Sequence, residues 1–148
     1  MKSRMTSKLV DALYVEAMVL ADEARAYFDD HGRSDREALD PIVRVSFSCE
    51  SLKVTTRLMH VVAWLLTRRA VDAGEIGLRE SRSRSRRLGA APASEALAIA
   101  ELPPSARALV DASVDLYARV ARLDQEIDRE EPLLSPARTL LDRLEQSL

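Results

Sequence analysis

Apolar positions along this 148-residue chain recur at steps of three and four rather than alternating, so the pattern predicts helices throughout. In the first segment Val10, Leu13, Ala17, Leu20, Ala24 and Tyr27 make one stripe, and Asp22, Glu23, Arg25 and Asp29 fall largely off it. A helix over about 7–31 is predicted, capped by Thr6 or Ser7 and ended by Gly32 in the left-handed conformation. The polar stretch 33–40 connects it to the next element and leaves room for one helical turn.

The central segment carries the clearest signal. Asp40 suits an N-cap, Pro41 suits the first helical position, and no Gly or Pro follows until Gly74. A helix over 41–73 would be roughly 50 Å long at 1.5 Å per residue. Val45, Cys49, Leu52, Thr56, Met59, Ala63, Leu66, Ala70 and Ala73 alternate steps of four and three, which is a heptad seam. Val54, Leu58, Val61, Val62 and Leu65 lie mostly on the opposite side. At about 100° per residue the apolar arc spans on the order of 220°, more than the stripe of a surface helix. The helix is therefore central, with area to spare for another chain, and Val54, Leu58, Val61 and Leu65 form a candidate dimer face.

Past Gly74 the composition changes. Arg79, Arg82, Arg84, Arg86 and Arg87 are interleaved with Ser81, Ser83 and Ser85, so 75–101 reads as a flexible linker with a short helix near 93–101. Pro103-Pro104 opens a third helix reaching about 129, with Leu109, Ser113, Leu116, Val120, Leu123 and Ile127 as its stripe. Ser135-Pro136 starts a short C-terminal helix, about 136–147, with Leu140, Leu141, Leu144 and Leu148 on one side. The expected architecture is one all-α domain: an up-down-up three-helix bundle around the long central helix, plus the short C-terminal helix and the Arg/Ser linker.

Composition narrows the function. Apolar residues are 47%, charged residues 31% and aromatics 4%, with a formal net charge of −2, so no global field favours nucleic acid or an anionic membrane. The longest dense apolar run, 61–66, is too short to span a bilayer. The N-terminus has no secretory pattern, and the cytoplasm is the expected compartment. The single Cys49 has no disulfide partner within the chain, and no Cys/His spacing suits a metal. No phosphate loop, nucleophile elbow or His pair points to catalysis or a cofactor.

Two features can bind partners. Lys53, Arg57, His60, Trp64 and Arg68 recur at steps of four, three, four and four, hence on one face of the central helix. Trp and Arg are enriched at protein-binding hot spots, although Trp64 could equally pack at the bundle edge with arginine stems lying over it. In the linker, Arg82, Arg84, Arg86 and Arg87 are the second candidate. Five Arg against Glu75 and Glu80 give +3 over 75–91, a local patch suited to an acidic partner or to phosphates.

The segment Glu50-Ser-Leu-Lys-Val-Thr-Thr-Arg-Leu-Met59, continuing through Trp64-Leu-Leu-Thr-Arg-Arg-Ala-Val71 to Gly74-Glu75, resembles the RcdA family, the alphaproteobacterial regulators of CtrA degradation. Leu116-Tyr-Ala-Arg-Val-Ala-Arg-Leu-Asp124 and Arg86-Arg87-Leu88-Gly89 are similar to that family as well. The resemblance implies a dimeric three-helix bundle and a non-enzymatic adaptor for ClpXP proteolysis of cell-cycle regulators. Its implied partners are ClpX or a primed ClpX complex, and a second adaptor or cargo protein. The competing readings are a nucleic-acid-associated regulator using the arginine linker and a plain dimerisation module.

Overall fold

The computed structural model describes the backbone of residues 2–147 and the side chains of residues 5–129, 144 and 147. Its helices are α1 (Lys2–Ala26), α2 (Arg33–Glu37), α3 (Pro41–Asp72), α4 (Leu78–Ser81), α5 (Ala96–Ala100) and α6 (Pro104–Ser147), with a π-helical turn at Tyr27–His31. The molecule is an all-α bundle built on a long central helix, α3.

All six residues of the first stripe are buried. Helix α1 already starts at Lys2, so Thr6 and Ser7 lie within it and not at its N-cap. The Ser7 hydroxyl instead donates to Asp72 Oδ2 at 2.8 Å. Gly32 is not left-handed, its φ being −87°. The wide π-turn closes the helix end differently: the Gly32 N–H reaches the Tyr27 carbonyl at 2.6 Å. Glycine is needed there for space, because a Cβ would stand 2.7 Å from that carbonyl and 2.8 Å from the Tyr27 ring. The left-handed glycine is Gly74, with φ 75°. It ends α3 in a Schellman motif, Glu75 N–H to Ala70 O at 2.9 Å and Gly74 N–H to Val71 O at 3.0 Å. At the other end Asp40 has the extended N-cap backbone, but its side chain makes no capping bond.

Helices α1 and α3 run antiparallel. Ser7 lies by Asp72, Arg69 sits over the Tyr14 ring at 4.7 Å, and Phe28 meets Phe47 edge to face at 5.4 Å. Along α6 the order is the reverse: Ser113 bonds Arg57 and Asp124 bonds Trp64, so α3 and α6 point the same way. The expected alternation of direction is thus corrected to up-down-down, and residues 73–103 must travel the length of α3 to start α6. That segment is a strap, not a loose linker. It holds α4 and α5 and lies on α3 through Gly89 against His60 and Ser94 against Arg57.

Because α3 lies between α1 and α6, its doubly covered face is the core. Val54, Leu58, Val61 and Leu65 pack there with the α1 stripe and with Ala106, Val110, Leu116 and Val120 of α6. The candidate dimer face is therefore protomer interior, and the heptad seam is the exposed side. A break before a separate helix 136–147 is also absent. Pro132 and Pro136 each lack one backbone donor, yet α6 continues past both to Ser147. Of the leucines expected on its apolar side, Leu144 is exposed, and Leu140, Leu141 and Leu148 lie outside the described side chains. Among the described residues no helix is long and apolar enough to cross a membrane.

Leu65→Asp should abolish cooperative unfolding in circular dichroism, and Leu65→Ala should cost about 2–5 kcal/mol. Gly32→Ala should cost about 1–3 kcal/mol by overpacking. Gly77→Ala, whose Cβ would meet nothing within 4 Å, should leave the denaturation midpoint unchanged.

Candidate partner-binding surface

Lys53, Arg57, His60, Trp64 and Arg68 do share one face of α3, but that face looks inward, toward α6 and the strap. Arg57 is 2% and Trp64 3% exposed, so neither can serve as a surface hot spot. Each is held by a specific polar partner instead. The Arg57 guanidinium donates to Ser113 Oγ at 3.1 Å, to the Pro92 carbonyl at 3.1 Å and to Ser94 Oγ. Ser94 donates in turn to Glu50, which also pairs with Lys53 at 3.1 Å. Burial draws the Arg57 pKa below its ordinary value, opposed by the charge of Glu50. Arginine nonetheless stays protonated, so this is a buried cation whose donors must be met by strap and helix together.

The second node is Asp124. It accepts the Trp64 indole N–H at 2.9 Å. It also takes a two-pronged bond from Arg87, whose Nε donates to Oδ1 at 3.0 Å and Nη2 to Oδ2 at 3.0 Å. Arg87 reaches Asp128 as well, at 3.3 Å. The bond to Asp124 outweighs desolvation and raises the Arg87 pKa. Nearby, the Tyr117 hydroxyl donates to the Gly89 carbonyl at 2.7 Å, and a Cβ on Gly89 would come within 2.8 Å of His60 Nδ1. That nitrogen is buried without a hydrogen-bond partner. Arg68 is half-buried, and its pKa too is lowered chiefly by burial.

Four strap arginines were candidates, and the structure divides them. Arg87 is committed to α6, Arg82 is half-buried, and Arg84 and Arg86 are exposed. Sequence reasoning missed Asp124, Glu50, Ser94 and Ser113. A signal existed for two of them. Asp124 stands at a stripe position between Val120 and Ile127, and Glu50 between Phe47 and Val54, so both occupy apolar register with a carboxylate.

The face that remains available is the heptad seam. Val45, Leu52, Met59 and Leu66 are 63%, 68%, 64% and 46% exposed, and no charged side chain stands on the exposed side of α3 between Arg44 and Arg69. Clefts flank this ridge. One, about 720 Å³, opens between α3 and the strap, with His60, Trp64, Thr67, Arg86 and Arg87 in its walls. The other, about 610 Å³, lies between α1 and α3 over Leu58 and Val62, with Arg25 and Asp29 in its lining. Ala63 and Leu66 line both.

A family model described as a protein of unknown function, DUF1465, matches residues 1–148. No curated protein sequence matches the chain. The crystal structure of RcdA from Caulobacter crescentus is 34% identical, with a TM-score of 0.67, covering 80% of this chain and 91% of that one. The chain belongs to the RcdA family. The RcdA-like blocks of its sequence fall on the two inward nodes: Arg57 and Trp64 in the α3 block, Arg87 in the strap block and Asp124 closing the α6 block.

Asp124→Asn keeps an acceptor for Trp64 but removes the charge that Arg87 binds. It should cost about 1–3 kcal/mol and speed amide hydrogen exchange over 82–91 more than over α1.

Proposed function

We propose that this RcdA-family protein is a non-enzymatic adaptor in the cytoplasm that promotes ClpXP degradation of cell-cycle regulators. It works as a homodimer and bridges ClpX, or a primed ClpX complex, to a second adaptor or to cargo. Family membership supports the role. The observation that carries it here is the uncharged exposed seam of α3, because monomeric proteins rarely leave so long an apolar ridge uncovered.

The seam suits a second copy of the chain. Leu52 and Met59 are equidistant from the Thr55–Thr56 peptide, and so are Val45 and Leu66. Antiparallel pairing about a two-fold axis through that point sets Leu52 on Met59 and Val45 on Leu66, a self-complementary arrangement. The two threonine hydroxyls donate to their own helix, at the Ser51 and Leu52 carbonyls, 3.1 and 3.0 Å away. Neither threonine hydroxyl is then carried unpaired into the contact. The strap argues against the nucleic-acid reading, since Arg87, one of its four candidate arginines, is consumed by Asp124 and Asp128.

Leu52→Glu with Met59→Glu should give a folded monomer by light scattering, with helicity unchanged. Purified wild type should accelerate turnover of a cell-cycle regulator by ClpXP in the presence of its priming factors. Unaltered turnover, together with no association with any protease component, would remove the adaptor reading.

A further inference from the structure

Two of the clefts beside the seam, those over Ala63 and Leu66, differ in charge, and that difference indicates what one of them holds. The α1-side cleft is balanced, with Arg25 and Asp29 both in its lining. Among the described residues the strap-side cleft has no carboxylate in its lining, and it takes Arg86 and Arg87 from the strap. Arg84 is exposed two positions away. Arg87 is offset from behind by Asp124 and Asp128, and Arg86 reaches Glu80 only at 4.0 Å. The positive charge of the wall is thus that of Arg86, with the exposed Arg84 nearby, while the floor, Ala63, Leu66 and Ala70 with Ile76, is apolar.

We propose that this cleft is a docking groove for an acidic peptide segment carrying a bulky apolar anchor. The proposal rests on the adaptor reading and specifies the chemistry of one partner. Size agrees with it: about 720 Å³ lies within the usual range of ligand sites, roughly 300–1,000 Å³. The floor from His60 to Ala70 runs about 15 Å along the helix, the length of roughly four or five extended residues. An anchor side chain would cover Ala70 and Ile76, past Leu66, which the second copy takes, and carboxylates would meet Arg86 and Arg84 at the rim. A nucleic acid fits less well, because Trp64 has its indole edge bonded to Asp124 and its ring buried, leaving no platform for base stacking.

The test is fluorescence anisotropy with a labelled decapeptide alternating glutamate and leucine. Its controls replace glutamate by lysine or leucine by glycine. Saturable binding of the first peptide, with each control weaker by about tenfold or more, supports the groove. So does a similar loss in Thr67→Arg, which fills the floor, and in Arg84→Glu with Arg86→Glu, which inverts the rim. All these positions are on the surface side of the helix or strap, and circular dichroism checks that the variants remain folded. No saturable binding, equal binding of the lysine peptide, tighter binding of a DNA duplex, or full binding by Thr67→Arg would each overturn it. A degradation assay separates the two readings. Thr67→Arg that has lost the peptide and still stimulates proteolysis fully discards the groove as partner site and leaves the adaptor intact. Wild type that binds the peptide without stimulating any degradation does the opposite.

Discussion

One buried carboxylate, Asp124, joins three parts of the chain. It accepts from the indole of the central helix and from the guanidinium of the strap, and it sits on α6. Parallel packing of α3 and α6 requires a long return segment, and a return segment rich in Arg and Ser has little apolar surface with which to hold itself down. Polar anchors replace that surface. Asp124 fixes the strap near its middle, Tyr117 fixes it at Gly89, and the Arg57 cluster fixes it at Pro92 and Ser94. In a low-dielectric interior such bonds are strong when every member is satisfied and costly when one is missing. The three anchors therefore stand or fall with the strap's path.

The helices were legible in the sequence because apolar period and breakers agree in them. The α1 stripe is buried at every position, and Asp40-Pro41 and Gly74 bracket α3. Which side of α3 is core was not legible. Two apolar rows run along it, and periodicity counts rows without saying which neighbour covers which. The heptad seam was the more regular row, yet Val54, Leu58, Val61 and Leu65 are the ones enclosed. Direction was misread for a related reason: chain order suggests alternation only while connectors are short, and 73–103 is long enough to reverse it.

The inward turn of the basic-aromatic strip has the same origin. A row of Lys, Arg, His and Trp reads as solvent-facing when nothing is known to lie over it. Here the strap lies over it, and Glu50 and Asp124 supply the counter-charge. What the strap removes from the surface it partly returns as a cleft, walled by Arg86 on one side and by helix on the other. Such a surface suits binding, because an uncharged ridge and a basic edge favour different partners at the same time.

The parallel pairing of α3 and α6 also sets the order in which the molecule can assemble. The hairpin of α1 and α3 is complete by residue 72, but Arg57 and Trp64 find their acceptors only at 92–94, 113 and 124. An isolated hairpin would keep both groups in water and leave the inner face of α3 uncovered. Closure across so many intervening residues is an entropically slow step. The inner face of α3 is thus complete only when the last third of the chain has docked.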